Sequence, residues 1–253
     1  AAPFSIPPPT GRAASSRPCF FVPLFLLHPL VRHRYHSAMD ASSSPFMDPR
    51  LDVAKHLNRL PHWQQERRLQ FVTFHLADAL PAEVRLRFAH EQESWRALHP
   101  APWSETVEAE YHRLFSDRLH DWLDAGTGSC ILQRPDLSQL VLESLLHFDG
   151  SRFLMDALAV MPTHVHVLFQ LADGHELQEV VHSWKSYTAN RLNEGLHRTG
   201  PIWMKDYWDR MIRSPDHFWK VRHYILANPE NARLPEGQYR IWQRDPPLIE
   251  GML

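Results

Sequence analysis

The pattern of hydrophobic and polar positions is most regular over "HVHVLFQ", residues 164–170. Its odd-numbered positions are all apolar, and two of its even-numbered positions are histidines, His164 and His166. A repeat of two residues is typical of a strand with one buried face. We therefore predict a half-buried strand, with the apolar face in a hydrophobic core and both histidines on the opposite face.

Similar patterns predict the remaining elements. Strands are predicted near 68–76, 152–161 and 207–213, with a tight turn joining 152–161 to 164–170. Helical spacing of apolar residues predicts helices over 81–98, 104–126, 136–150, 176–196 and 214–229, the last ending at Pro229. This order predicts an α+β domain with a mainly antiparallel sheet and helices packed on it.

The two histidines are candidates for a metal site. Residues i and i+2 of a strand project from the same face, roughly 6.5 to 7 Å apart along the chain. Two imidazole nitrogens can therefore converge on one ion. The alternative is that both histidines merely mark the solvated face of a sheet, and the pair alone does not decide between these interpretations.

The last predicted helix carries a polar column. Lys220, Tyr224 and Asn228 follow one another at intervals of four residues, so they lie on one face of the helix. The apolar residues of that helix form a separate stripe, which we expect to be buried. A tyrosine in such a position can act chemically, or it can simply pack with its hydroxyl at the surface.

Composition limits the class of partner. At 253 residues and 43% hydrophobic content, the chain can form one large domain with additions. The formal net charge of −2 argues against a polyanion-binding surface over the whole molecule. Residues 184–224 nevertheless carry eight Lys or Arg against four acidic residues, interleaved with aromatic side chains. Such a segment suits single-stranded nucleic acid, although ordinary helices with solvated charges share this composition.

Two further features bear on location. The two cysteines, Cys19 and Cys130, form no metal-binding or disulfide-like spacing, which fits a reducing cytoplasm. The apolar run over 19–31 is interrupted by proline and is shorter than the roughly 20 residues that a membrane-spanning helix needs. We expect no membrane partner.

Four blocks of the sequence resemble one known family. The blocks "MPTHVHVLFQ", "HSWKSYTANRL", "GPIWMKDYWDRMIRSPDHF" and "YILANPENARL" are similar, in order and spacing, to the single-tyrosine HUH transposases, and specifically to the REP-associated tyrosine transposase group. The resemblance implies an HUH-endonuclease core, which is ferredoxin-like or RRM-like. The chain departs from the family at Thr163, where the related motif MPNHVH has Asn.

The chain is thereby divided into four predicted parts. Residues 68–235 form the HUH single-tyrosine transposase domain, 47–67 a lead-in segment and 236–253 a C-terminal tail. Residues 1–46, rich in Pro, Ser and Ala, are expected to be a disordered or mis-started extension. In the second case the natural start would be Met39 or Met47.

The resemblance also implies roles for individual residues. It makes Tyr224 the nucleophile, His164 and His166 ligands of a divalent metal, Mg²⁺ or Mn²⁺, and Asn228 a third ligand through its amide. Candidates for DNA contact come from charge and stacking instead, and these are Lys185, Lys220, Arg210, Arg213, Trp203 and Tyr207. The rival nucleophile is Tyr187, on the preceding helix, and only the family register favours Tyr224 over it.

The implied function is a metal-dependent DNA transposase or endonuclease. It would cleave and rejoin single-stranded, hairpin-bearing, REP-like DNA through a covalent 5′-phosphotyrosine intermediate, in the cytoplasm and associated with the nucleoid. The exchange of one phosphodiester for another needs no ATP, and the sequence has no P-loop motif. The oligomeric state, monomer or homodimer, stays open.

Two other functions are alternatives. One is a domesticated protein that binds hairpin DNA with little catalysis, although intact His164, His166 and Tyr224 argue against it. The other is a histidine-based phosphoesterase, which would need a second, separate histidine motif. The only "HRT" segment, residues 197–199, lies in a glycine-flanked loop.

Overall fold

The computed structural model of this chain describes residues 44–48, 50, 54–57, 61–65, 67–100, 103–124 and 126–250. Its strands are β1 (Ala54–Leu57), β2 (Pro61–Gln64), β3 (Leu69–His75), β4 (Phe153–Val160), β5 (His164–Leu171), β6 (Trp208–Met211) and β7 (Arg240–Gln243). Its α-helices are α1 (Ala82–Leu98), α2 (Glu105–Tyr111), α3 (Asp117–Asp124), α4 (Pro135–Leu146), α5 (Leu177–Gly195) and α6 (Pro215–Asn231). No helix among the described residues is long and apolar enough to cross a membrane.

The main sheet has five strands in the order β6-β3-β5-β4-β7, and all its strand pairs are antiparallel. Helices α1 to α4 lie between β3 and β4 along the chain, and α5 lies between β5 and β6. Strands β3 to β6 therefore form a β-α-β-β-α-β unit whose first and third strands are central, which is the ferredoxin-like arrangement. The α+β class and the ferredoxin-like core are confirmed.

Strand β5 is buried along its whole length, on both faces. Its odd-numbered residues, Val165 to Phe169, pack in one core with α4 and α5. Its even-numbered residues lie on the other face, where α6 packs against Leu168 and the neighbouring strands. The prediction of a half-buried strand was therefore wrong, because α6 covers the histidine face.

Helix α6 begins at an N-cap that the sequence indicates. The Ser214 hydroxyl accepts a hydrogen bond from the His217 backbone N–H at 3.2 Å, and Pro215 occupies the first turn. Phe218, Val221 and Ile225 provide its buried stripe. The helix was expected to end at Pro229, but it continues to Asn231. A proline removes one helical hydrogen bond, but the later donor Ala232 N–H still reaches the Asn228 carbonyl at 2.9 Å.

Some elements were not predicted. The β1–β2 hairpin lies in the expected lead-in, and β7 lies in the expected tail, where it pairs with β4 at the sheet edge. Each of these strands has only four residues; β6 is as short, but it was predicted within the longer segment 207–213. A π-helical turn, His112–Ser116, joins α2 to α3 within the helix expected over 104–126.

Two other predictions concern the end of one helix and the boundaries of the N-terminal parts. The helix expected over 136–150 is α4. It ends at Leu146, before the predicted Gly150, because a turn follows it. Residues 1–43, and with them Met39, lie outside the described residues, whereas the backbone of Pro45 and Met47 bonds to Leu69 and Ile212 beside the main sheet. The boundaries proposed for the four parts of the chain stay predictions.

Candidate active site

The two histidines of β5 face each other. The Nε2 atoms of His164 and His166 are 3.0 Å apart, and the ring centroids are 4.6 Å apart. Both side chains are fully buried between the sheet and its covering elements. This is the geometry expected from positions i and i+2 of one strand, and it leaves both Nε2 atoms directed toward a common point.

Each histidine is held from behind by a threonine. Thr163 Oγ1 lies 3.0 Å from Nδ1 of His164, and Thr73 Oγ1 lies 2.7 Å from Nδ1 of His166. Thr73 comes from the neighbouring strand β3, directly opposite His166 in the register. The Thr163 hydroxyl also donates to the backbone carbonyl of Leu123 at 3.1 Å. The hydroxyls therefore fix the ring planes, while Nε2 of each ring stays on the site side.

Helix α6 brings Tyr224 to this pair. Its hydroxyl oxygen is 3.4 Å from Nε2 of His166, and the two rings are 5.2 Å apart in an edge-on arrangement. Phe71 lies beneath both rings, with centroids 6.1 Å from Tyr224 and 5.7 Å from His166. Tyr224 is partly exposed. A half-buried phenol with its oxygen at the histidine pair can reach both the site and an external substrate.

Asn228 follows Tyr224 by one helical turn. It is 1% exposed, and neither atom of its amide group has a hydrogen-bond partner among the described residues. A buried amide without a partner is costly, so this position suggests a ligand. Because α6 extends past Pro229, Asn228 lies inside the helix.

The residues fit a divalent metal ion. Two nitrogens bound to one ion at about 2.1 Å and at right angles lie about 3.0 Å apart, which is the observed separation of the two Nε2 atoms. The Asn228 carbonyl oxygen would add the hard donor that Mg²⁺ and Mn²⁺ favour. No group of three or more His, Cys, Asp or Glu side chains suited to a metal occurs in the part of the chain that the structure describes. The amide of Asn228 is therefore the candidate for a third protein ligand.

A third histidine adjoins the site. His75 lies opposite His164 in the β3–β5 register, on the same face of the sheet. Its Nδ1–H donates to the carbonyl of Leu76 at 2.9 Å, and burial lowers the pKa of its imidazole. The sequence alone does not reveal the proximity of His75 to the pair, because it depends on strand pairing.

The rival tyrosine lies elsewhere. Tyr187 is on α5, which packs against the Val165 face of the sheet, whereas the histidines occupy the opposite face. Its side chain is 57% exposed and lines a cavity of about 560 Å³ between α4 and α5. The structure thus separates Tyr187 from the histidine pair by the sheet itself.

Three of the basic candidates lie near Tyr224. Arg210 is opposite Phe71 in the β3–β6 register, so it projects from the histidine face of the sheet. Lys220 is exposed on α6, one turn before Tyr224, and the partly exposed Arg213 lies just before that helix. The positions suit contact with phosphates around the site, as single-stranded nucleic acid requires.

The other three candidates are buried or hydrogen-bonded within the protein. The Lys185 ammonium donates to the carbonyls of Lys205 at 2.7 Å and Asp206 at 3.3 Å, and burial lowers its pKa to about 8. Trp203 is buried and donates its indole N–H to Thr188 Oγ1 at 2.9 Å. Tyr207 is also buried, which raises the pKa of its phenol. These placements favour packing over base stacking.

Comparison with known proteins addresses the segment that carries this site. Residues 143–228 match the family model of IS200-like transposases. The match includes His164, His166, Tyr224 and Asn228, and the resemblance to the tyrosine transposases is confirmed for this segment. No curated protein matches the chain by sequence.

One solved structure is similar in part. It is a REP-associated tyrosine transposase bound to a REP hairpin, with 13% identity and a TM-score of 0.39. The alignment covers 69% of this chain and 74% of that one.

Two threonines and one tryptophan were not among the residues predicted from the sequence. The contacts of Thr73 and Thr163 depend on the β3–β5 register and on the position of α3, which one sequence does not reveal. Trp219, an aromatic residue of the basic segment that was not selected as a candidate, is 38% exposed on α6. Its position outside the apolar stripe of that helix could have indicated this exposure.

Proposed function

We propose that this protein is a metal-dependent DNA strand transferase that cleaves and rejoins single-stranded, hairpin-bearing DNA. The nucleophile is Tyr224, and the observation that supports it most directly is the 3.4 Å distance from its hydroxyl to Nε2 of His166. The transposase match over the same residues supports DNA as the substrate.

The reaction needs no co-reactant. The Tyr224 oxygen forms a bond to the phosphorus of a phosphodiester, the bond from phosphorus to the 3′ oxygen breaks, and the phenolic proton ends on the released 3′-hydroxyl. The DNA stays attached through a 5′-phosphotyrosine. Attack by a 3′-hydroxyl on that linkage reverses the step and rejoins strands, so the number of phosphodiesters is unchanged.

Tyrosine needs assistance to react. An unperturbed phenol has a pKa of about 10, so roughly 0.1% of it is ionised at pH 7. His164, His166 and Asn228 are the residues that would hold a divalent ion, Mg²⁺ or Mn²⁺. When bound, such an ion polarises a non-bridging phosphate oxygen and offsets the charge that develops on it.

The rest of the site positions the strand. Helix α6 is packed on the sheet through Phe218 and Ile225, so the Tyr224 side chain is presented from a rigid element. Arg210 and Lys220 flank it and can contact phosphates on either side of the scissile bond. This arrangement fixes the attacking oxygen relative to the backbone of the strand.

The test uses labelled single-stranded DNA containing palindromic repeats from the same genome, with Mg²⁺ or Mn²⁺. The wild-type protein is expected to form an adduct that resists denaturant, and EDTA should prevent it. Tyr224→Phe should abolish the adduct, whereas Tyr187→Phe, the matched control, should retain it. Binding of the DNA without any adduct or nick under either ion would overturn the catalytic proposal and leave a hairpin-binding protein.

A further inference from the structure

We infer that Thr163 and Thr73 are positioning residues that set the tautomers of His164 and His166, and that they do so in different ways. Thr163 fixes His164 permanently, whereas Thr73 can serve either tautomer of His166. The inference deepens the proposed function, since it concerns how the two imidazoles become metal ligands. A metal binds only the unprotonated nitrogen of a neutral imidazole, so each tautomer decides whether Nε2 is available.

The role of Thr163 follows from its second partner. The backbone carbonyl of Leu123 can only accept a hydrogen bond, so the Thr163 hydroxyl must donate its one proton there. Toward His164, 3.0 Å away, the same oxygen can then only accept. Nδ1 of His164 must therefore carry the proton. Its Nε2 keeps a lone pair directed into the site, with or without a metal.

The neighbouring ring completes the chain of hydrogen bonds. Nε2 of His166 lies 3.0 Å from Nε2 of His164, and two lone pairs would repel each other at that distance. In the metal-free protein, His166 therefore donates its Nε2–H to His164. Its Nδ1 then accepts from the Thr73 hydroxyl at 2.7 Å. The Tyr224 hydroxyl, at 3.4 Å, is a more distant partner of Nε2 of His166.

This order assigns a switch to Thr73. For His166 to act as a ligand through Nε2, its proton must leave Nε2 and a proton must be taken up at Nδ1. The imidazole stays neutral throughout. The Thr73 hydroxyl rotates, so that it changes from donor to acceptor. A backbone carbonyl at this position could only accept a hydrogen bond. It would therefore favour the Nδ1–H tautomer of His166, which is the metal-binding one, whether or not a metal is present. The hydroxyl instead satisfies the buried ring in both states.

Nuclear magnetic resonance of protein labelled with nitrogen-15 at histidine tests the assignment directly. In the metal-free wild type, we expect His164 in the Nδ1–H tautomer and His166 in the Nε2–H tautomer. Addition of Zn²⁺, a diamagnetic probe, should convert His166 to Nδ1–H and leave His164 unchanged. Signals are assigned with single His164→Gln and His166→Gln variants.

Metal affinity supplies the second readout. Thr163→Val and Thr73→Val should each weaken Mn²⁺ binding, measured calorimetrically, by roughly 10- to 100-fold. Thr163→Ser and Thr73→Ser keep the hydroxyl and should restore most of the affinity. The matched control is Thr188→Val, which removes a buried hydroxyl on the opposite side of the sheet, where it bonds to Trp184 and Trp203. It should alter thermal stability without changing Mn²⁺ affinity.

The outcomes separate this inference from the proposed function. If the wild type binds no Mn²⁺ yet shows the two tautomers, and Thr163→Val alters that of His164, the threonine assignment stands and the metal part of the proposed function fails. If the wild-type tautomers differ from those expected, the assignment is overturned whatever the protein binds. Valine variants that retain the wild-type tautomers and Mn²⁺ affinity overturn it as well.

Discussion

At the scale of single residues, the buried amide of Asn228 carries a cost to folding. Its amide group is buried between α6 and the sheet without a hydrogen-bond partner among the described residues. Removing a polar group from water without a compensating bond costs about 1–3 kcal/mol. A residue retained at such a cost is typical of a functional position. In the proposed metal site, this amide would add a hard oxygen donor to the two imidazole nitrogens.

Replacement of Asn228 should therefore separate stability from binding. In EDTA, Asn228→Leu is expected to raise the free energy of unfolding by about 1–2 kcal/mol, because a similar-sized apolar side chain removes the unsatisfied amide. The same variant should bind Mn²⁺ more weakly than the wild type. Urea denaturation and calorimetry measure the two effects.

The exposed Asn190 on α5 supplies the control for this substitution. Asn190→Leu should change the free energy of unfolding by less than about 0.5 kcal/mol and leave Mn²⁺ affinity unchanged. A loss of stability in Asn228→Leu, with unaltered metal affinity, would contradict the role given to Asn228.

Individual residues of the site differ in how far the sequence could reveal them. His164 and His166 are visible because strand alternation places residues i and i+2 together. Tyr224 and Asn228 share a helix face for an equally local reason. Thr73 and His75 could not be found in this way, since their proximity is created by pairing between strands about 90 residues apart in the sequence.

At the scale of elements, α6 is fixed by an ion pair with β4 as well as by its apolar packing on the sheet. Arg222 of this helix donates to the fully buried Asp156 of β4 at 3.1 Å, and Asp156 also accepts from the backbone N–H of Leu248 at 2.8 Å. Arg244 bonds to the carboxylate of Asp149 at 2.8 Å. These contacts connect the helix that carries Tyr224 to the C-terminal residues after β7.

We expect Asp156→Ala to lower the free energy of unfolding by about 3 kcal/mol, because it leaves the mostly buried Arg222 without its carboxylate. Asp173→Ala is the matched control, since Asp173 forms an exposed ion pair with Arg67. Its effect should stay below about 1 kcal/mol. Similar effects of the two substitutions in urea denaturation would show that the Asp156 contacts do not hold α6.

Lys185 makes a pH-dependent contribution to the packing of α5 on the segment before β6. Burial lowers its pKa from 10.5 to about 8 in the folded protein. Between these two pH values the unfolded chain binds more protons at Lys185 than the folded protein does, so the free energy of unfolding rises with pH. The full cost of burying the charged ammonium is present below about pH 8, where Lys185 is protonated in both states. Relative to Lys185→Met, the wild type should gain stability as pH rises from 8 to 10.5.

Urea denaturation of both proteins across that range measures the difference. A variant at the exposed Lys220, Lys220→Met, controls for the loss of one positive charge. A difference between wild type and Lys185→Met that stays constant with pH would contradict the assigned burial effect.

At the scale of the whole molecule, the near-neutral net charge conceals an uneven distribution. Arg210, Arg213 and Lys220 gather around the Tyr224 side of the sheet, whereas Lys185 is occupied by backbone carbonyls. A local basic surface of this kind binds single-stranded DNA by releasing counterions, with a slope in log affinity against log salt of about −0.7 for each phosphate neutralised.

Lys220→Ala should therefore weaken binding of single-stranded hairpin DNA for all sequences alike and reduce the magnitude of the salt slope by roughly 0.7. The control is Arg134→Ala, which removes an exposed charge paired with Asp136 beside α4. Titrations by fluorescence anisotropy at several salt concentrations give both slopes. An unchanged slope for Lys220→Ala would exclude a phosphate contact at that residue.

The overall architecture was largely predictable where elements are long. Helices such as α5 and strands such as β3 have enough residues for periodicity to be read. The error at β5 arose because burial of its second face depends on α6, which follows it by more than 40 residues in the sequence. Strand β7 was missed because its place at the sheet edge depends on pairing with β4, about 80 residues earlier in the sequence.

The central claim is that Tyr224 becomes covalently linked to DNA, and tryptic mapping of the trapped adduct tests it most directly. After nuclease trimming, mass spectrometry should find a nucleotide mass on the peptide covering 223–233, which contains Tyr224. The peptide covering 186–191, which contains Tyr187, should be unmodified. A nucleotide on 186–191, or no modified peptide from a sample in which the DNA has been cleaved, would contradict the account.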